Sequence, residues 1–294
     1  MSAVFDRDDL FSPLQTERYE AFPVAVHQGE RAAADGPVFA HAHEAIELWS
    51  VLEGSLTVRV GGRTVDVGSG EGILINSGRI HRIDPPPEGS CSYVCVQFAP
   101  RLLALDGTLA ETLLTPYLKG PGHAYRKLRA DRFRHREIYE KVKWIHHMER
   151  GARAPLWILA ALAEIWANFC DDTELPTNVR PRMDGEEAAL LTCMDAVRAR
   201  CEERWTLERI TAEGGMGQSK CCQLFAAYLG ESPNQYLTRC RLERSAQMLL
   251  EGDGSAASVG RAFGFSGGSY FTEAFHAHFG LTPTAYRKQA REQK

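Results

Sequence analysis

The chain has 294 residues, 44% of them hydrophobic, and a formal net charge of −4. This composition excludes a disordered chain and a protein whose whole surface grips nucleic acid, and the length suits two domains better than one. No run of about 18 apolar residues occurs, so a membrane-spanning helix is excluded from the expectation.

Residues Met1–Gln15 carry Asp6, Arg7, Asp8 and Asp9 where a signal peptide needs an apolar stretch, so a cytoplasmic protein is expected. From about residue 22 to 99 the chain reads as short strands parted by turns. Leu56–Val60 alternates, Gly61–Gly62 supplies a tight hairpin, and Arg63–Val67 alternates again, the period-two pattern of half-buried strands. Ile73–Ile75 and Tyr93–Phe98 add apolar strands, with Pro85–Pro87 marking a surface loop between them. Strands of this length and spacing predict a barrel or jelly roll.

Inside that segment, His41, His43 and Glu47 stand in HxHxxxE spacing and are followed by Gly54, Gly70, Gly78 and His81. The set resembles the two motifs of the cupin barrel. The resemblance implies that His41, His43, Glu47 and His81 converge inside the barrel, where three imidazoles and a carboxylate suit a divalent Zn, Fe, Mn or Ni ion. Asn76 replaces the usual proline of the second motif. Two histidines on alternate strand positions share a face in any strand, so a barrel that takes an organic effector with no metal is the alternative. In either case an effector pocket is expected in the lumen, lined by Trp49, His81, Tyr93 and Phe98, with Arg59, Arg79 and Arg82 as partners for an acidic ligand.

Phe133–Met148 and Leu156–Phe169 then place apolar residues at helical spacing. The second segment is apolar nearly all round and needs cover on several sides, from the barrel and from either the same chain or a second subunit. Residues 1–173 therefore read as one effector-binding and dimerisation domain, with its helices at about 132–172. Residues 174–186, containing Pro176, Pro181 and Gly185, read as a linker.

The remaining segment, 187–294, is a series of short helices. From Arg204 onward it holds 11 Lys and Arg against 8 Asp and Glu, leaving 23 against 30 before that point. A mildly basic module thus follows an acidic one, compatible with DNA binding confined to the end of the chain. Thr206 is a predicted N-cap for Leu207–Glu213, Gly214–Met216 a turn, and Ser219–Tyr228 a second amphipathic helix, which is helix-turn-helix spacing. After a longer helix over about Gln235–Leu250 the arrangement returns: Ala256–Ala262, a turn at Gly264–Gly267, and a helix over Ser269–Phe279. The two units, at about 206–229 and 255–279, form an internal repeat of roughly fifty residues.

Arg241–Arg244, Gly264–Ser266, Ser269–Phe271, Phe275, Phe279–Pro283 and Tyr286–Arg287 reproduce, in order and spacing, a signature that resembles the AraC family of transcription regulators. The resemblance covers about a third of the chain. It implies an α+β protein: a cupin-like β jelly roll with a helical, dimerisation-type segment, then an all-α domain with two helix-turn-helix units at the ends of one linker helix. Double-stranded DNA, a small-molecule effector, RNA polymerase and a second copy of the chain are the partners implied, with activation the expected mode and no enzymatic activity. The residues that the resemblance turns toward bases or phosphates are Ser219, Cys222, Gln223 and Ala226 in the first unit and Gly268, Ser269, Thr272 and Glu273 in the second. Gln223 suits base readout, since its amide pairs bidentately with adenine. Phe225, Phe271, Phe275 and Phe279 read as core.

This chain departs from the family pattern at Ala226–Ala227, Glu273 and His276–His278, where basic residues are common, so phosphate attraction and salt dependence are expected to be weak. Thr211, Ala256 and Gly260 alter positions that are usually small or apolar, which suggests marginally stable units. The eight cysteines contain no CxxC pair and read as reduced thiols, with Cys221 and Cys222 about 100° apart on a helix. Besides an effector-responsive regulator, two other readings stay open: a metal-dependent cupin enzyme of the dioxygenase or isomerase type, and a metal sensor using the His41 set.

Overall fold

The computed structural model describes residues 22–104, 106–119, 124–148, 152–172, 185–252 and 254–292. Of the linker expected at 174–186, all but the last two residues lie outside these ranges. The chain divides into two compact units, the first ending at Glu187 and also taking in Ala227–Leu229, the second comprising Ala188–Ala226 and Gly230 onward. No helix among the described residues is long and apolar enough to cross a membrane.

In the first unit the strands are β1 (Val24–Ala32), β2 (Val38–His41), β3 (Ile46–Glu53), β4 (Ser55–Val60), β5 (Arg63–Gly68), β6 (Gly72–Ile75), β7 (His81–Asp84), β8 (Ser90–Phe98) and β9 (Tyr125–Leu128). They form two sheets, in the orders β1-β8-β3-β6-β9 and β2-β7-β4-β5. The β4–β5 hairpin pairs Val60 with Arg63 across Gly61 and Gly62, whose φ angles of 57° and 70° suit the two-residue turn that matches strand twist. Sheet periodicity sorts the apolar residues into two cores. Trp49, Val51, Tyr93 and Cys95 pack inward with Leu56, Val58 and Val60, whereas Ile46, Leu48, Val94, Val96 and Phe98 pack outward against helices. With both faces covered, β3 and β8 have no need to alternate, hence their continuous apolar runs.

Helices α1 (Phe133–His147) and α2 (Ala154–Asp171) cover the outer core with Ile138, Val142 and Ile145 from α1 and Ile158, Leu162, Ile165 and Phe169 from α2. Each such burial stabilises by about 1.5–3 kcal/mol. At the first turns of α2, Leu156 and Trp157 remain 71% and 59% exposed. The turns between Gly107 and Lys119 and the strand β9 are additions to the expected barrel. Trp166 Nε1 donates to the Leu113 carbonyl at 2.7 Å, and Arg129 N–H donates to His135 Nδ1 at 2.8 Å. Because Nδ1 accepts, the His135 proton sits on Nε2 and is donated to Asp172 at 2.8 Å, tying α1 to the end of α2.

The second unit contains α3 (Gly185–Ala199) from Ala188 onward, α4 (Leu207–Glu213), α5 (Gln218–Leu224), α6 (Pro233–Glu251), α7 (Ala256–Ala262), α8 (Gly268–Phe279) and α9 (Pro283–Glu292). Thr206 accepts from Arg209 N–H, Ser255 accepts from Ser258 N–H, and Ser232 forms a capping box with Gln235 behind Pro233. These caps satisfy orphan N–H groups and fix where α4, α7 and α6 begin. The repeat has a fixed offset: Gly214 and Gly264, Phe225 and Phe275, Gly230 and Gly280, and Pro233 and Pro283 each stand fifty residues apart. The helix expected over Ser219–Tyr228 differs in one respect, since beyond Leu224 it widens into a π turn over Phe225–Leu229.

Candidate metal centre and nucleic-acid interface

His41 ends β2 and lies opposite His81, the first residue of β7, while Glu47 is the second residue of β3 and His43 sits in the turn between β2 and β3. Sheet pairing therefore brings together residues forty positions apart. One ligand atom from each of His41, His43, Glu47 and His81 lies within 4.8 Å of the others. The ring centroids of His41 and His81 are 4.3 Å apart, and those of His43 stand 5.3 Å and 5.2 Å from them.

Each imidazole is oriented from behind. Nδ1 of His41 meets the Phe39 carbonyl at 2.9 Å, that of His81 the Arg79 carbonyl at 2.9 Å, and that of His43 the Ala45 carbonyl at 3.1 Å. A carbonyl only accepts, so each Nδ1 carries a proton and donates it, leaving Nε2 to face the cluster. Burial, reinforced by the charge of His81, holds the His41 imidazole well below its ordinary range, so it is neutral. Burial would raise the Glu47 carboxyl, but the charge of His81 and the hydrogen bond from His43 outweigh it and hold Glu47 well below its usual value. Burial pulls His43 down as well, yet its hydrogen bond to Glu47 lifts it overall.

Glu47 is held on both oxygens. His43 Nε2 lies 2.8 Å from Oε1 and Trp49 Nε1 donates to Oε2 at 2.8 Å, while Gln97 Nε2 also donates to Oε1. His81 Nε2 stands 3.4 Å from Oε2. Gln97 is absent from the sequence-based site. Its signal was a lone amide in the apolar strand Tyr93–Phe98, at the parity of Tyr93 and Cys95 and opposite Glu47 in register.

Trp49 and Tyr93 face the barrel interior as expected of lining residues, their rings 4.6 Å apart. Phe98 does not: it is one parity step off Tyr93 and packs into the outer core with α1 and α2. Arg59 and Arg82 do not enter the lumen either, since both donate to Asp84, at 2.9 Å and 2.7 Å. Arg79 pairs with Glu187 at 3.1 Å. Asn76 donates to the Tyr117 carbonyl at 2.7 Å and so ties the end of β6 to the helical turns that follow the barrel. The lumen beyond the histidines is filled by buried aliphatic side chains such as Val58, Val67 and Ile73.

In the second unit, α5 buries Cys221, Leu224 and the following Phe225, and turns Ser219, Gln223 and Ala226 outward with Cys222 half-buried beside them. Burial pushes the Cys221 thiol up to about 12, as fits a core position. Helix α8 buries Phe271 and Phe275 and turns Gly268, Ser269 and Glu273 outward, with Thr272 half-buried and its hydroxyl donating to the Gly268 carbonyl at 2.8 Å. Each helix thus presents one face of short polar or small side chains opposite its apolar anchor. A narrow face of this kind can approach base edges in a major groove.

The family described as AraC-like ligand binding domain matches residues 26–139, and the helix-turn-helix domain family matches residues 210–289. The uncharacterized HTH-type transcriptional regulator YdeC of Bacillus subtilis is 23% identical, over 96% of this chain and 97% of its own length. The HTH-type transcriptional regulator ArgR of Pseudomonas aeruginosa is 30% identical over 38% of this chain and 34% of its own. Among solved structures, ToxT from Vibrio cholerae is 10% identical, with a TM-score of 0.48 over 90% of this chain and 98% of that one.

Proposed function

The chain belongs to the AraC family of transcription regulators, joining a ligand-binding domain to a helix-turn-helix domain, and on that premise we propose that its signal is a divalent transition-metal ion held by His41, His43, Glu47 and His81. The observation that carries this reading is the triple Nδ1-to-carbonyl pattern, which fixes three imidazoles with Nε2 turned toward one buried carboxylate. Outer hydrogen bonds of this kind orient metal-ligating histidines and raise their basicity. The donor set fits Zn, Fe, Mn or Ni. A bound ion would supply a positive charge beside the buried Glu47 carboxylate. Packed aliphatic side chains fill the rest of the lumen, which favours a compact signal over a bulky one.

Metal analysis of protein purified with no His-tag tests the reading. One equivalent per chain, lost in Glu47→Gln and His81→Ala, is the expected result; a stoichiometry near zero in the parent removes it.

In the second unit, Ser219, Cys222, Gln223 and Ala226 and then Gly268, Ser269, Thr272 and Glu273 read successive major grooves of a bipartite site. Support comes from their outward placement and from the fifty-residue repeat that presents them twice. The near absence of cations on these faces means that phosphate neutralisation contributes little, so firm binding needs a neighbour on the DNA. We assign that role to RNA polymerase, with activation as the mode, and to a second copy of the chain. Leu156, Trp157 and Trp144, 71%, 59% and 42% exposed, supply the apolar surface for the homodimer. Sedimentation of a Leu156→Asp, Trp157→Asp double variant should give a monomer; an unchanged dimer contradicts this part of the reading.

A further inference from the structure

Helix α6 carries one side chain that reaches both halves of the repeat. Arg241 Nε donates to the Cys201 carbonyl at 2.8 Å and Nη2 to the Glu203 carbonyl at 2.8 Å, both in the segment that leads into α4. Nη1 donates to the carbonyl of Gly264, in the turn between α7 and α8, at 3.4 Å. A planar guanidinium spreads its donors over three nitrogens in a fixed fork and so reaches acceptors on two sides, whereas the three donors of a lysine leave a single nitrogen.

Both ends of this bridge are shaped to receive it. Gly264 has φ of +75°, and a Cβ there would lie 2.9 Å from Nη2 and 3.1 Å from Cζ of Arg241, so this turn needs glycine for its backbone and for the approach of the guanidinium. On the other side, Trp205 Nε1 donates to the Arg200 carbonyl at 2.8 Å, and Arg209 stacks over the Trp205 ring at 4.2 Å and pairs with Glu203. The segment that Arg241 grips is thus itself immobilised. Each repeat packs on its own stretch of α6, Phe225 against Tyr236 and then Phe271 and Phe275 with Leu242 and Leu249, and Arg241 lies between these stretches in sequence and bonds to the backbone on both sides.

We propose that Arg241 is the strut that fixes the distance and angle between α5 and α8, and so sets the half-site separation that the protein accepts. The proposal rests on the reading of those two helices as groove readers. A groove recurs every 34 Å or so, and two helices held rigidly at that spacing discriminate against a site lengthened by one base pair. Two helices on a loosened frame do not.

The full chain is used to select a duplex from a random library, and affinities are then measured by fluorescence anisotropy on that duplex, on versions with one base pair added or removed between the half-sites, and on single half-sites. Wild type should lose about tenfold or more on a one-base-pair change, whereas Arg241→Ala should bind the parent duplex about tenfold more weakly, lose under about threefold on the same change, and keep its half-site affinity. Arg241→Lys should fall between them. An alanine variant that keeps the wild-type spacing preference overturns the proposal, and so does one whose half-site affinity falls in parallel. If the alanine variant fails to fold, the lysine variant decides on the same measurements; failure of both to fold makes the residue a folding element and ends the proposal. A wild-type chain that enriches no duplex at all removes the groove-reading premise, a result separate from any behaviour of the variants.

Discussion

Gly260 in α7 lies beneath Phe271 in α8 so closely that a Cβ on the glycine would stand 2.7 Å from the ring's Cγ and 3.0 Å from its Cβ. From sequence, a glycine at this position suggests a poorly filled core. The contact shows the opposite: the missing side chain is what lets Phe271 reach the cluster of Leu242, Leu249, Val259 and Phe275. Gly260→Ala should therefore destabilise the second unit by about 1–3 kcal/mol despite the better helix propensity of alanine. Urea denaturation followed by near-ultraviolet circular dichroism checks this; an unchanged or raised midpoint argues against the packing described.

Gln97 and Trp49 donate to the two Glu47 oxygens that His43 and His81 also face. Replacing Gln97 by Leu removes one donor while leaving all four proposed ligands in place. Zinc affinity, measured by competition with a chromophoric chelator, should fall about 10–100-fold with the saturating stoichiometry still one per chain. Unaltered affinity would mean that the amide does not orient the carboxylate.

Asp172 supplies an acid-sensitive clasp. Burial would raise its carboxyl, but the hydrogen bond from His135, with help from the charges of Arg126 and Arg132, keeps it below the ordinary carboxylate range. The folded pKa is thus lower than the unfolded value of about 3.9, so the clasp stabilises fully above that value and is lost as pH falls through the folded one. In Asp172→Asn the first unit should lose roughly 1–3 kcal/mol near neutral pH. Its stability should also decline less steeply than wild type between about pH 4 and pH 2. Parallel pH profiles for the two proteins would count against this assignment.

The surfaces proposed to face DNA offer Ala226, Ala227, Glu273, His276 and Ala277, all exposed, where cations would meet phosphates. Anisotropy titrations at several salt concentrations should give a log–log slope shallower than about −4, the value for four or five neutralised phosphates. A slope near −8 would point to a basic surface elsewhere in the chain.

Much of this architecture is legible in the sequence because local chemistry dictates it. Gly61–Gly62 specifies its own hairpin, Thr206, Ser232 and Ser255 mark helix starts, and the fifty-residue repeat is visible in the spacing of glycines and phenylalanines. The His41 set is readable because its spacing is local but for His81. Strand parity was available and would have turned Phe98 away from the lumen, since it is offset by an odd number from Tyr93. Other features depend on partners distant in sequence. Nothing local announces that the polar strand β9 pairs with β6, or that Arg241 spans to Cys201 and Gly264. The three backbone carbonyls behind the histidines are equally invisible, because every residue has a carbonyl and only the fold aims it.

Occupancy of the His41, His43, Glu47 and His81 cluster is expected to alter DNA binding by the paired helices, which requires unequal metal affinity for two states of the protein. The most direct measurement is anisotropy of the selected duplex with the full chain, stripped by chelator and then given zinc, iron(II), manganese or nickel. One of these ions should change the duplex affinity by about tenfold or more in wild type and leave His81→Ala unmoved. Identical binding curves for stripped and metal-loaded wild type, with every ion, would contradict the claim.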